Sequence, residues 1–307
     1  MTLQQIHYVL TVAASGSMNK AAEELFISQP SLTNAIKDLE SEIGIKIFLR
    51  TSRGVILTKE GEEFLLYSRQ LYQQYELMER KYLFKGAVKR KFGVSTQHYS
   101  FAVKAFVDTV KCFGTLNYEF AIRETKTFEV ITDVENFKSE IGLLYMNDFN
   151  RKVLGKMLKD ANLEFHHLID CDAYVYIWKH HPLAKKEKIS FSELADYPCL
   201  SFEQGEKGSF YFAEEILSTN DYPRMIKAND RASMLNLMVG LNGYTLCSGI
   251  ICEELNGSDY IAVPFDSDEN NPNSSMEVGY IKKKAVDLSD IGRVYVEKVT
   301  EYLKNAK

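Results

Sequence analysis

No stretch of about 18 or more apolar residues occurs in the 307-residue chain, so no membrane-spanning helix is expected. Cysteine is scarce and scattered: Cys112, Cys171, Cys199, Cys247 and Cys252 are an odd set of five without a CxxC pair. That pattern argues against a disulfide framework or a cysteine-built zinc cluster and fits a reducing cytoplasm. Buried structural thiols are expected, with a redox-sensing thiol as the alternative. Catalytic motifs are missing too. There is no GxSxG elbow, no GxGxxG turn and no Walker loop, so neither nucleophilic hydrolysis nor a nucleotide cofactor finds support. His166-His167 and His180-His181 put adjacent imidazoles on opposite faces of an extended strand, a poor chelate, so no metal is expected. The opening MTLQQIHYVLTVAASGS lacks a basic n-region and spaces its polar residues helically, so a helix rather than a secretion signal is expected.

Hydrophobic residues make up 45% and charged residues 26%, as in ordinary globular domains, and the length suits two or three of them. The net charge of −5 argues at first against nucleic acid, but it is unevenly spread. Residues 1–90 carry 12 Lys+Arg against 10 Asp+Glu, whereas the remainder carries 25 against 32. A mildly basic head on an acidic body suits a small nucleic-acid-binding module joined to a domain that does not touch it.

Ile6, Val9, Leu10 and Ala13 recur at helical spacing, which predicts a first helix ending near Ser15-Gly16. Ser17 is placed to cap a second helix with a small inner face of Ala21, Ala22 and Leu25. After a short turn, Ser28 can cap a third helix that tolerates Pro30 in its first turn, with Leu32, Ile36, Leu39 and Ile43 as its apolar stripe. Two short helices around a tight turn, the second opening on polar residues, make a helix-turn-helix. Gln29, Ser31, Thr33, Asn34 and Lys37 are expected to be exposed on that second helix, with Asn19 and Ser28 nearby. Gln and Asn can pair bidentately with adenine, Ser and Thr can serve base edges or phosphates, and Lys supplies charge, so the helix is expected in the major groove of duplex DNA. Residues 45–58 then place two apolar runs around a polar tip, a wing. There Arg50 and Arg53 either contact phosphate or the minor groove, or merely solvate a hairpin.

The segment SGSMNKAAEELFISQPSLTNAIKDLESEIGIKIFLRTSRGVILTKEGEEF resembles the signature of the LysR-type transcriptional regulators nearly throughout. The matching pieces are Gly16-Ser17, Ala21-Ala22, Leu25, Ser28-Gln29-Pro30-Ser31, Ile36, Leu39-Glu40, Gly44, Phe48, Arg50, Arg53, Leu57-Thr58 and Gly61. Thr33-Asn34 departs from it, since serine is more usual first; a hydroxyl is kept, and only base preference is affected. The resemblance implies promoter DNA as partner, a small-molecule effector and self-association as dimer or tetramer.

From Thr58 to Phe84, Phe64, Leu71 and Met78 repeat every seven residues, with Ser68, Tyr75 and Tyr82 as a second set. That is a heptad seam on a helix about 40 Å long, which is expected to pack on a second copy or, alternatively, on the protein's own body. The basic cluster Lys85, Lys89, Arg90 and Lys91 around Gly86 reads as a hinge.

Beyond it the pattern changes. Strands at Phe92–Thr96, Tyr118–Arg123 and Ile141–Tyr145 alternate with helices at Phe101–Phe113 and Phe128–Phe137, which predicts a mostly parallel sheet covered by helices. A second such unit is expected from near Leu168, with Tyr174–Trp178 as a central strand apolar on both faces. Cys199–Phe202, a helix around Ala232–Leu241, Tyr244–Cys247, a polar stretch Asp266–Ser275, a return strand Met276–Ile281 and a last helix from about Ser289 follow. His181-Pro182-Leu183-Ala184, Leu194 with Tyr197-Pro198, and Asn242-Gly243-Tyr244 resemble, more loosely, the effector domains of the same family. The resemblance implies a two-lobed, periplasmic-binding-protein-like (Rossmann-like) α/β fold with the effector between lobes.

The expected organisation is a winged helix-turn-helix (1–58), a linker helix and hinge (59–90) and an effector-binding domain (91–307), with lobe I at about 91–165 and 270–307 and lobe II at about 168–265. Ligands in such folds sit at carboxyl ends of strands and at helix N-termini. That rule selects the loop holding Thr96, Gln97, His98 and Ser100, then Thr127, Ser201, and Ser248-Gly249 opening a helix. Thr96 and Gln97 resemble the hydroxyl-and-glutamine loop of the family's sulfur-metabolism regulators; ordinary helix capping by Ser100 is the alternative. Hydroxyls with helix N-termini would suit an anionic effector. The family resemblance further implies that ligand alters head spacing, DNA bending and RNA polymerase recruitment. A solute-binding protein would leave the helix-turn-helix unexplained, and an enzyme would need a catalytic constellation that the sequence does not offer.

Overall fold

A computed structural model describes residues 1–51, 54–82, 89–114, 117–205, 210–266 and 275–305. The chain divides into two units, residues 1–88 and 89–307. Among the described residues no helix is long and apolar enough to cross a membrane.

Helix caps organise the first unit. Helix α1 (Leu3–Ser15) starts at Thr2, whose hydroxyl accepts from Gln5 N while the Gln5 side chain accepts from Thr2 N, and it stops at Gly16 in the left-handed region. Ser17 caps α2 (Met18–Glu24), and Ser28 caps α3 (Gln29–Ile43) by accepting from Ser31 N at 3.2 Å. Strands β1 (Phe48–Thr51) and β2 (Gly54–Leu57) pair antiparallel. Val55 N donates to Gly16 O at 3.0 Å, and a Cβ on Gly54 (φ 131°) would run into that same carbonyl, so only glycine lets the wing dock on the turn after α1. Val9, Val12, Ala21, Ala22, Leu32, Ile36, Leu39 and Ile47 form the core. Val12 is fully buried on α1 together with Val9, while Leu10 and Ala13 are only half-buried. Glu40, 6% exposed, ties the wing to α3: its carboxylate accepts from Ile47 N at 2.8 Å and Phe48 N at 3.2 Å and pairs with Lys46 at 2.8 Å.

Helix α4 (Lys59–Tyr82) divides the expected seam between two faces. Leu65 and Ser68 are buried in the first unit, and Tyr72 stacks on His7 with centroids 4.9 Å apart. Leu71 and Met78 point outward, 43% and 54% exposed, beside an exposed Tyr67. The side chain of Tyr82 and the hinge residue Lys85 lie outside the described residues.

In the second unit, β3 (Arg90–Thr96), α5 (Ser100–Cys112), β4 (Tyr118–Glu124), α6 (Thr127–Glu135) and β5 (Ile141–Met146) form the expected alternation, with β4, β3 and β5 parallel. Helix α7 (Arg151–Asp160), absent from the sequence expectations, buries Leu154 and Leu158 and leads to β6 (Leu163–Asp172). The chain then builds lobe II: β7 (Tyr174–Trp178), α8 (Phe191–Leu194), β8 (Cys199–Phe202), β9 (Met225–Ala228), α9 (Arg231–Leu241), β10 (Thr245–Cys247), α10 (Glu253–Asn256) and β11 (Tyr260–Pro264). It returns as β12 (Ser275–Lys283), antiparallel between β5 and β6, giving the order β4-β3-β5-β12-β6. Helix α11 (Asp290–Asn305) closes lobe I, with the buried Tyr295 hydroxyl donating to Ala102 O at 3.2 Å.

Two expectations are corrected here. Strand β6 belongs to lobe I through Asp172, so the second lobe does not start near Leu168. Strand β7 is central, but in the antiparallel order β10-β7-β11, with Val175 and Ile177 buried and their neighbours half-buried. A sheet with one face less covered gives that alternation, where a buried parallel strand would not.

Candidate DNA-reading face and effector cleft

The first turns of α3 present Ser28, Pro30, Ser31, Asn34 and Lys37 to solvent, with Gln29 half-buried among them and Asn19 exposed on α2. Gln29 Nε2 donates to Thr33 Oγ1 at 2.8 Å, one helical turn away, and Ser28 Oγ lies 2.7 Å from Ser31 Oγ. Thr33 departs from the expected exposure. It is buried, because residue 33 sits beside the inward Leu32 and Ile36 while its hydroxyl braces Gln29. Arg50 belongs to β1, but its side chain, and all of Arg53, lie outside the described residues.

The other expected cluster is drawn together between the two lobes. Thr96 ends β3 and Gln97 follows it, both fully buried. Gln97 Nε2 donates to Thr127 Oγ1 at 2.5 Å, and Gln97 Oε1 accepts from the Tyr99 hydroxyl at 2.7 Å and Tyr145 N at 3.1 Å. Thr127, the first residue of α6, donates its hydroxyl to Phe212 O at 2.8 Å and its N–H to Gln204 Oε1 at 3.1 Å, both in lobe II. Among the described residues, Thr96 Oγ1 is a buried polar atom without a hydrogen-bond partner.

Across the same seam His98 meets a carboxylate. Its N–H donates to Glu214 Oε2 at 2.9 Å, its Nδ1 lies 2.8 Å from that oxygen, and its ring stacks on Phe202 with centroids 3.8 Å apart. Gln204 Nε2 donates to the other Glu214 oxygen at 2.9 Å. Glu215 accepts from Phe202 N at 2.7 Å; burial, and then the charge of Glu214, push its carboxyl up to about 8. Burial likewise pushes the Cys199 and Cys247 thiols up to about 12, which keeps both protonated at neutral pH. Arg231, opening α9, pairs with Glu124 at the end of β4 and so bridges the lobes.

These contacts leave a cavity of about 720 Å³, counting its open mouth. Of the residues expected around an effector, His98, Ser100 and Ser248 line it, and Ser100 Oγ accepts from Cys252 N at 3.1 Å. Ser248-Gly249 does not open a helix; that stretch is irregular, and the short α10 starts at Glu253. Ser201 faces a separate cavity within lobe II, beside Tyr222 and Lys227. Thr96, Gln97 and Thr127 are not among the residues that line the inter-lobe cavity.

The family model of bacterial regulatory helix-turn-helix proteins of the LysR family matches residues 3–62, and that of the LysR substrate binding domain matches residues 117–285. The chain belongs to the LysR family of transcriptional regulators. It is 30% identical to the RuBisCO operon transcriptional regulator of Allochromatium vinosum over 67% of this chain and 65% of that protein, so the match spans slightly less than two thirds of that relative. It is 26% identical to the HTH-type transcriptional activator CmpR of Synechocystis over 71% of this chain and 69% of that one. A full-length OxyR variant from Pseudomonas aeruginosa shares the fold with a TM-score of 0.62 at 18% identity, over 98% of each chain.

In this LysR-type domain, sequence reasoning misses the residues that lobe II contributes to the cavity, above all Glu214, Glu215, Arg231 and Tyr176. The stretch around Ala213-Glu214-Glu215-Ile216 shows neither helical nor strand periodicity. Its one signal is a pair of acids directly against Ile216 and Leu217, which are buried.

Proposed function

We propose that this LysR-type regulator reads an interrupted palindrome in double-stranded promoter DNA and answers to a small molecule held between the lobes of residues 89–307. The observation that carries the reading is the capped α3, which offers Gln29, Ser31, Asn34 and Lys37 at the N-terminal end of a helix-turn-helix. Gln29 and Asn34 suit adenine edges, while Ser28, Ser31, Asn19, Lys37, Arg50 and Arg53 suit phosphates or the minor groove. Two such heads, joined along the outward stripe of Tyr67, Leu71 and Met78 on α4, would match a two-fold site. A tetramer built from two dimers extends the same arrangement.

Ligand between the lobes then changes the spacing of paired heads, the bend of the DNA and the recruitment of RNA polymerase. The coupling is limited to the ligand's differential affinity for the two assembly states. The protein works in the cytoplasm as a binder rather than an enzyme.

The deciding experiment is a footprint on DNA upstream of its own gene and the divergent neighbour, at fixed salt, comparing wild type with Gln29→Ala and Arg50→Ala. The expected outcome is protection of an interrupted palindrome that both substitutions weaken. No sequence-selective protection, with a small molecule still bound by the second unit, would refute the DNA-reading role and leave a ligand sensor.

A further inference from the structure

The seat best suited to an anionic effector is already filled by the protein itself. Just ahead of α5, the N–H of His98 is taken by Glu214 of lobe II. At the start of α6, the N–H and hydroxyl of Thr127 are taken by Gln204 and the Phe212 carbonyl. His98 and Glu214, the partners in the first contact, also line the cavity between the lobes. Glu214 and Glu215 stand in its wall, and the guanidinium that lines it, Arg231, is already paired with Glu124 across the lobes. An entering carboxylate would therefore meet the Glu214 carboxylate, the protonated carboxyl of Glu215 and a neutralised arginine. Much of the rest of the wall is hydrocarbon and aromatic, including Tyr176, Phe202, Met234 and Leu246, interrupted by the polar side chains of Ser100, Thr245, Ser248 and Asn256.

We propose that the effector of this cleft is a compact organic cation of the arylalkylamine class, its ammonium directed at Glu214 and Glu215 and its ring packed against Tyr176, Phe202, Met234 and Leu246. The Glu214 carboxylate, and Glu215 once a bound cation drives its proton to solvent, supply acceptors for an ammonium's three donors, and an aromatic wall favours both a ring and a neighbouring positive charge. The proposal rests on the reading of residues 89–307 as an effector domain, and it replaces the anion expected from loop chemistry alone.

Calorimetric titration of the full-length protein with phenethylamine hydrochloride, sodium phenylacetate and 2-phenylethanol keeps the ring constant and changes only the charge of the head group. The amine should bind at least about tenfold more tightly than either of the others, and Glu214→Gln and Glu215→Gln should each weaken it by about tenfold while sparing the alcohol. The comparison of head groups uses wild-type protein, so a folding defect in either variant leaves it intact. Tighter binding of phenylacetate, binding of none of the three, or amine binding indifferent to both substitutions in folded protein would overturn the proposal. Footprints taken with each bound compound separate the two readings. Amine binding that leaves the footprint unchanged supports the ligand class and refutes regulatory coupling; a footprint moved by phenylacetate alone does the reverse.

Discussion

Glu40 is where the wing hangs from α3, and its removal should be costly in a calculable way. Its carboxylate accepts from two backbone N–H groups, those of Ile47 and Phe48, in a region where Ile47 is fully buried. Leaving a buried donor unmatched costs about 1–3 kcal/mol, so Glu40→Ala, which strands both, should destabilise the wing by about 3 kcal/mol. Lys46 adds little, at most about 1 kcal/mol, because its side chain is 69% exposed. Glu40→Gln keeps a carbonyl oxygen for the two amides and should cost about 1 kcal/mol. Burial alone would raise the Glu40 carboxyl, but Lys46 and the Phe48 and Ile47 amides outweigh it and hold the group below its ordinary 4.5. A depressed folded value means that this stabilisation is complete above the unfolded carboxyl range and is lost as pH falls through the folded value. Glu40→Gln should therefore flatten the acid limb of the stability profile. Hydrogen exchange of residues 45–50 in the full-length protein measures the local effect: protection should fall roughly hundredfold in Glu40→Ala and about fivefold in Glu40→Gln. Protection within about threefold of wild type in the alanine variant, or a glutamine variant as poorly protected as the alanine one, would refute the reasoning.

Three further outcomes are expected. Gln29→Ala should relax base preference at one position of each half-site, at about 1–3 kcal/mol, whereas Lys37→Ala should weaken binding on all sequences and lower the salt slope by about one; binding isotherms at several salt concentrations distinguish the two, and identical behaviour would contradict the assignment. Leu71→Asp combined with Met78→Asp should weaken self-association by at least about a hundredfold, since two large apolar side chains lose their burial at about 1.5 kcal/mol each or more; an unchanged sedimentation profile would rule out the α4 seam. Burial and the neighbouring Glu214 hold Glu215 at about 8, above its unfolded value, so the folded protein should lose stability as pH climbs from the carboxylate range to about 8. Glu215→Gln should remove that slope, leaving its melting temperature above that of wild type near the alkaline end, and an unaltered pH profile would count against a neutral buried carboxyl.

The head is legible in the sequence because its determinants are local. Ser17 and Ser28 cap within three residues of themselves, Gly16 and Gly44 stop helices in place, and the stripe Leu32, Ile36 and Leu39 needs only the helical period. Thr33 escapes for a similar reason: a polar residue next to that stripe reads as surface until its hydroxyl is seen bonded to Gln29. In the second unit the β3-α5-β4-α6-β5 alternation is equally local, but strand partnership is not. Nothing near Tyr174 announces that its neighbours arrive from Thr245 and Tyr260 and run antiparallel to it. Glu214 and Glu215 are hidden by the same logic. A carboxylate is ordinarily exposed, and the arrival of His98 from more than a hundred positions earlier, together with the nearby Gln204, makes burial of Glu214 tolerable.

The return strand β12 also dictates an order of events during synthesis. It separates β5 from β6, so the edge of β5 opposite β3, and β6 itself, have no partner until residues 275–283 leave the ribosome. At about 5–20 residues per second, the stretch between residues 146 and 275 leaves one edge of the fully buried Ile141–Met146 strand unmatched for on the order of ten seconds. Lobe II, encoded wholly inside that interval, can complete its sheets first. An unpaired apolar edge waiting on a growing chain is a template for wrong pairing. The nascent chain is thus most vulnerable to aggregation just before residues 275–283 appear, and chaperone demand should peak there.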